Sequence, residues 1–485
     1  MALPALDKID PAEAWQPWRP TTADPWTRKW AAHLYRRAGF GASREEIGEA
    51  ARRGPDATLE LLLRGQPGSA DLETTFADAG RIASARDDGG AQLRVWWLYC
   101  MLQGGHPLRE KLTLFWHNHF ATSIAKVHSP ALMFRQNLVL REHALGKFGP
   151  FLQAMSRDPA MLIWLDSNSN VKGKPNENYA REVMELFSLG VGNYTEKDIR
   201  EAARAFTGWH TSGKGFDFKP DLHDNGVKTV LGRTGKWDGG DVVEIILTQP
   251  AAARFLVANL YSFFVSEIAP PAALLEPLCK TFRESNYDVA NLMKTILSSR
   301  LFYSEHAFRK RIKCPVEYVL GAVLAIYRRY PERDENYRPL VQSRLQRWLT
   351  GMGQTLFAPP NVKGWPGGKT WLNTSTVLER DNFAAAVATG GLLWWDSQVG
   401  FTPAGEFPPP KAFDSARIIE EESVESPEDV VRVLLDAYVP GGVRQEAREK
   451  FTAFVAEGKP AGAELARRVR EVVHAILTMP EYQLA

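Results

Sequence analysis

Val95-Trp96-Trp97-Leu98-Tyr99 is apolar on nearly every side of a 3.6-residue period, with no polar stripe to turn toward water. A helix of that kind is stable only where other helices surround it. The stretch lies inside a longer aromatic run, Gln92 to Phe120, that opens after the turn-forming Asp87-Asp88-Gly89-Gly90. A buried helix at the centre predicts a mainly helical protein around it.

Working outward, residues 27–66 read as two helices split by Gly39-Phe40-Gly41-Ala42-Ser43. Ser43 followed three residues on by Glu46 is a capping box. Thr195 and Asp198 repeat that device before a further helix, Ile199 to Phe206, with Gly208 as its stop. Between Trp209 and Val242 glycine is dense and helix formers are scarce, and short pieces such as Phe216-Asp217-Phe218 and 228–231 alternate with turns. This predicts an irregular or short β-hairpin insert. Helical periodicity resumes from Pro250 to Tyr330 and from Tyr337 to Leu349, and a second loop, Phe357 to Thr376, is rich in Pro, Gly and Trp. The expected architecture is an N-terminal extension (1–27), a multi-helix globular body (28–396) carrying the insert (209–242), a Pro/Gly/Glu-rich linker (397–428) and a small C-terminal helical subdomain (429–485), its helices read as a pair.

The bulk composition excludes more than it selects. A net charge of +2 with basic residues spread along the chain gives no concentrated basic stripe for nucleic acid. Cys100, Cys279 and Cys314 are too few and too scattered for a disulfide framework or a thiolate metal site. No window reaches the ~20 apolar residues of a membrane helix. Nothing near Met1 reads as an export signal, so the cytoplasm is the default expectation. Fifteen Trp serve equally well in cores and in binding platforms.

The densest polar region follows the loop that runs from Asp166 to Asn176. On the helix begun by Pro175, the residues Asn178, Arg181, Glu182, Glu185 and Ser188 share one arc, while Tyr179, Val183, Leu186 and Phe187 share the other. Glu182 and Glu185 stand at i, i+3, so their carboxylates can meet. Two close carboxylates raise one pKa, as general acid/base work requires, or bind a divalent cation through oxygen. The competing reading is a solvated face laced by Glu177–Arg181 and Arg181–Glu185 ion pairs. His117 and His119 end the aromatic run. Two residues apart on a helix they point ~200° away from each other, so they share a metal only if the helix has stopped, and otherwise are hydrogen-bonded structural groups. The letters His117-Asn118-His119 spell a nuclease motif whose residues are spread over a ββα unit, and the match is spurious. Gly367-Gly368-Lys369-Thr370 fails as a phosphate loop because Lys363 stands where glycine is required. Finally, Asn170-Val171-Lys172-Gly173-Lys174-Pro175 recurs as Asn361-Val362-Lys363-Gly364-Trp365-Pro366. Either both loops converge on one cleft, or Lys-Gly-x-Pro simply makes a tight turn.

Several of these segments together resemble a known family. They are 33–41 (HLYRRAGFG), 115–123 (FWHNHFATS), 161–166 (MLIWLD), 172–182 (KGKPNENYARE) with 184–187 (MELF), 192–196 (GNYTE), 203–209 (ARAFTGW), His223-Asp224, 359–368 (PPNVKGWPGG) and 371–373 (WLN). In this order they resemble the bacterial family called domain of unknown function 1800. The resemblance implies a helical fold and brings no established reaction. Many relatives are exported and stand beside a family similar to sulfatases and alkaline phosphatases, which implies a sulfatase-like protein partner; this chain shows no such export signal. A signature dense in Asn, Glu, His, Lys and Trp on loops favours a functional site over mere packing.

The expectation is a hydrolase acting on a polar polymer or anionic sugar. Glu182, Glu185, His117 and His119 would be its catalytic or metal-binding cluster, with a divalent metal ion as the candidate cofactor. Asp166, Lys172, Asn176, Asn178, Arg181, Asn361, Lys363 and Asn373 would hold the substrate, and Trp365 and Trp371 would stack on a sugar face. The alternative is a non-catalytic binding or scaffold protein that works with a partner enzyme.

Overall fold

A computed structural model describes residues 5–327, 338–390, 415–416, 418–419, 422 and 424–485. Its described residues are mainly helical, and their strands form two separate two-stranded antiparallel hairpins. Most of the expected 397–428 linker lies outside the described residues.

The aromatic run is not one helix but two, Ala91–Gln103 and Pro107–His119. Gly104 leaves the helical region (φ −63, ψ 134), and Pro107 can start a helix but not sit inside one. The imidazole of His106 caps the new helix by accepting the Arg109 N–H at 3.3 Å. Trp97 and Leu98 are fully buried, as an all-round apolar helix demands. The predicted pair over 27–66 is three helices, Arg28–Ala38, Arg44–Arg53 and Pro55–Arg64, because Gly54 at φ 91 breaks the second. Both capping boxes form: Ser43 N–H donates to Glu46 Oε2 at 2.8 Å, and Thr195 N–H to Asp198 Oδ2 at 2.9 Å.

The glycine-rich insert makes the hairpins. Trp209–Thr211 pairs with Phe216–Phe218, with His210 opposite Asp217, and Lys228–Val230 pairs with Arg233–Gly235, with Thr229 opposite Thr234. Strands this short are not stable alone. The second hairpin is tied to the helix Glu196–Ala205 through Thr229 N–H to Glu201 and Leu231 N–H to Asp198.

The C-terminal residues form four helices rather than a pair: Pro427–Tyr438, Gln445–Ala456, Gly462–Thr478 and the short Pro480–Gln483. They do not pack on one another alone. Val430, Leu434, Val473, Leu477 and Tyr482 share a hydrophobic cluster with Trp97, Leu114, Val319, Trp365 and Phe383. A second cluster holds Trp30, Phe115, Trp116, Phe148, Phe187, Val257 and Phe302. The helix Pro107–His119 serves both, giving Leu114 to one and Phe115 with Trp116 to the other. Its C-terminal end therefore stands on the seam between two cores. None of the described helices is long and apolar enough to cross a membrane.

Candidate functional site

Because the helix continues through His119, the two histidines leave it on different sides. His117 is 1% exposed, edge-on to Trp97 and beside Phe357 and Trp365. Its Nε2 accepts the Phe357 N–H at 3.1 Å, so that nitrogen carries no proton. Burial depresses its pKa to about 3. His119 lies among Phe115, Phe120 and Phe187, and its Nε2–H donates to the Phe187 carbonyl at 2.9 Å. Burial also lowers this histidine, to about 4, against a smaller opposing effect of that hydrogen bond. Each imidazole is thus neutral and tied to backbone, as the reading of hydrogen-bonded structural groups has it for a helix that does not stop before His119. Among the described residues, no group of three or more His, Cys, Asp or Glu side chains converges as a metal would require.

Asn118, between them, does the work at this helix end. Its Oδ1 accepts the Trp365 N–H at 2.7 Å and its Nδ2 donates to the Trp365 carbonyl at 3.3 Å. These two bonds clamp the second Lys-Gly loop onto the histidine helix. Gly364 is required there: φ is +73, and a Cβ would stand 2.6 Å from the Asn118 carbonyl oxygen.

The carboxylate helix spans Asn178–Glu185 and stops one turn earlier than its periodicity predicts. Phe187 N–H reaches back five residues to the Glu182 carbonyl, and Leu189 N–H to Met184. This widened turn swings Ser188 off the polar arc into the core, where its hydroxyl donates to the Val183 carbonyl. Arg181 pairs with Glu177 and, through both Nη atoms, with Glu196. Glu185 is held instead by the Tyr194 hydroxyl at 2.8 Å. Glu182 is half-buried; burial first and Glu185 second push its carboxyl up, while Arg181 and Lys363 pull it back. The coupling to Lys363 puts this helix next to the second loop.

At that junction lies a cleft of about 650 Å³ on the seam of the two cores. The second loop forms one wall with Lys363, Trp365, Lys369 and Trp371, and the helix Pro107–His119 supplies Phe115, Asn118 and His119. The helix Pro250–Phe264 turns Phe255, Asn259, Ser262 and Phe263 toward it, and Glu267, Arg311 and Gln354 complete the floor. Trp365 and Trp371 are 6% and 7% exposed, so most of each ring packs in the core and only an edge meets the cleft. Asn361 is exposed and its Oδ1 accepts the Lys363 N–H at 2.9 Å. Asn373 is the N-cap of the helix Thr374–Thr389, in a reciprocal pair of 3.0 Å bonds with Thr376.

The first Lys-Gly loop does not line this cleft. Asp166 pairs with Lys126 at 2.8 Å, and Asn176 donates to the Ser169 hydroxyl and the Asp166 carbonyl. Asn178 Nδ2 lies 3.5 Å from Asp166 Oδ2, and the Lys172 N–H binds the Leu222 carbonyl in the insert. His223 and Asp224 stay in that region, on the Thr207 carbonyl and on Arg204. The insert contributes nothing to the cleft lining.

One family model, described as Protein of unknown function (DUF1800), matches residues 33–484. The chain belongs to this family. No curated protein matches it, and no solved structure does. In this DUF1800 member the expected signature segments separate into two groups. Segments 115–123 and 359–368 meet through Asn118 and Trp365, whereas the loop that joins 161–166 to 172–182 meets 203–209 through the Asn170 amide on the Ala203 carbonyl at 3.0 Å. The cleft residues Asn259, Ser262, Glu267, Arg311 and Gln354 escape a sequence reading. They are single polar letters in helical or irregular stretches, and only their spacing beside Phe255 and Phe263 hints at a shared face.

Proposed function

We propose that this protein binds a polar polymer, of which a saccharide chain is the class that fits the cleft. The observation that carries this reading is unused hydrogen-bonding capacity among aromatic rings. Asn259 and Ser262 line the cleft and make no side-chain hydrogen bond among the described residues. Gln354 is 4% exposed; its Oε1 takes the Val316 N–H at 3.0 Å, which leaves its amide N–H groups without a partner among the described residues. Ser262 is exposed and Asn259 half-buried, so these groups face the open cleft and can exchange solvent for the hydroxyls of a ligand. Half-buried Phe255 and Phe263 add apolar surface beside these donors and acceptors, the mixture that a sugar ring with one apolar face and a hydroxyl rim requires.

The test is titration calorimetry of the purified protein against oligosaccharides of several classes. Each lost hydrogen bond is worth roughly 0.5–1.5 kcal/mol, so the double change Asn259→Ala with Gln354→Ala lowers affinity about tenfold or more. Absence of binding by every saccharide class, or unchanged affinity in the double variant, overturns the reading.

Hydrolysis is the second reading, favoured by Glu182 alone, whose raised carboxyl stands beside Glu185 and Lys363. General acid/base catalysis contributes about 100-fold or more. Any turnover of a bound oligosaccharide therefore falls by that factor in Glu182→Gln with binding retained, and turnover that survives this change removes Glu182 from the chemistry.

A further inference from the structure

We infer that the cleft selects acidic saccharides, carboxylated or sulfated, over neutral ones. This rests on the saccharide reading of the same cleft and adds the charge of its ligand. Two independent observations carry it.

The first is at the rim. Lys363 and Lys369 are both exposed, both line the cleft, and neither makes an ion pair among the described residues. A lysine ammonium is a compact point charge rather than a planar fork, so it accepts a carboxylate or a sulfate ester alike.

The second is beneath the floor. Arg311, which lines the cleft, is 5% exposed, and Lys111 and Arg37 are fully buried near it. Lys111 and Arg311 both bind the buried Glu317, Arg311 through two contacts of 2.9 and 3.2 Å. Arg37 donates from one nitrogen to the Val265 and Ala307 carbonyls, and its Nε and Nη1 have no hydrogen-bond partner among the described residues. Lys111 and Arg311 thus share Glu317, while the floor carboxylate Glu267 accepts the Ile312 N–H through Oε1 at 3.1 Å. Of the charged side chains that line the cleft among the described residues, Lys363, Lys369 and Arg311 are cationic and Glu267 is the one carboxylate, so the lining is net positive. Glu267 on the floor and Glu182 beside Lys363 set the polarity of the site: they receive hydroxyls, and the acidic group of the ligand lies between the two rim lysines.

The test compares four probes with the full chain at low and high salt. They are a neutral glucan oligosaccharide, an oligogalacturonate, a sulfated oligosaccharide of similar length, and polyglutamate as a polyanion without sugar. Expected at low salt is binding of one or both acidic oligosaccharides about tenfold tighter than the glucan. The double variant Lys363→Ala with Lys369→Ala, and equally high salt, removes the preference by bringing that affinity down to the level of the glucan measured with the same protein and buffer. Which acidic probe responds tells carboxylate from sulfate. Lys363→Arg with Lys369→Arg keeps the preference and controls for folding. Acidic and neutral probes binding equally, with no response to the lysine changes, overturns the inference and leaves the saccharide reading standing. Polyglutamate binding as tightly as the acidic sugars overturns it as well, because the cleft would then read charge alone. Absence of binding by any sugar removes both.

Discussion

The two Lys-Gly turns differ in one residue of six, and yet one hangs over open surface while the other is pressed into a joint between helices. Both put their glycine in the left-handed region, Gly173 at φ +82 and Gly364 at φ +73. Around Gly173 an added Cβ meets nothing within 4 Å, whereas at Gly364 it meets the backbone of Asn118. The differing residue is Lys174 in the first turn, exposed, and Trp365 in the second, 6% exposed. Local letters thus set the turn, and the single apolar letter decides that the second turn is built into the body. The shared string encodes a conformation, not a shared destination.

That contrast can be broken by experiment. The largest effect is expected for Gly364→Ala, which combines left-handed strain of about 1–2 kcal/mol with a backbone clash. It should lower stability by about 3 kcal/mol in urea unfolding, while Gly173→Ala, with the strain alone, costs about 1 kcal/mol. Equal losses at the two positions would show that the joint at Asn118 contributes nothing.

Acid should next distinguish the two regions. His117 under the second loop has its pKa lowered from an ordinary 6.5 to about 3 by burial. The unfolded chain then binds a proton that the folded chain refuses, so stability is full above about pH 6.5 and falls as pH drops toward 3. At pH 5 the loss from this residue is about 2 kcal/mol. His119 and His106, each lowered to about 4, add to it in the same direction. In hydrogen exchange, amides at 357–365 should lose protection between pH 7 and pH 5 before those at 170–176 do. Simultaneous loss would remove His117 as the cause.

A smaller effect belongs to Asn118→Ala. It deletes two hydrogen bonds to Trp365 and should cost about 1–2 kcal/mol, together with weaker ligand binding because the wall carrying Lys363 loosens. Removing Asn176, which makes a comparable pair of bonds in the first loop, should leave ligand binding untouched.

How much of this was legible in the sequence follows from the same contrast. Helical class, capping at Ser43 and Thr195 and the hairpin insert were readable because each rests on neighbours in sequence. The placement of His117 and His119 on opposite sides followed from helix periodicity, since the helix did run on. What failed were judgements that needed the third dimension. Ser188 left the polar arc because a five-residue hydrogen bond ended the helix early. Arg181 took Glu196 from another helix rather than Glu185. Asn373, expected at the substrate, serves as the N-cap of the helix Thr374–Thr389 and does not line the cleft. Of the residues expected at the site, only His119, Lys363, Trp365 and Trp371 line the cleft, with Glu182 electrostatically coupled to its rim.

The cleft's position has one more consequence. Its walls come from both hydrophobic clusters, Phe115 from one and Leu114, Cys314, Trp365 and Trp371 from the other. A molecule seated there would touch two bodies of side chains that otherwise meet along a seam, in the way a keystone bears on both arms of an arch. Its binding would act as a strut, and a melt that begins at the seam in the free chain would become a single later step once the cleft is filled.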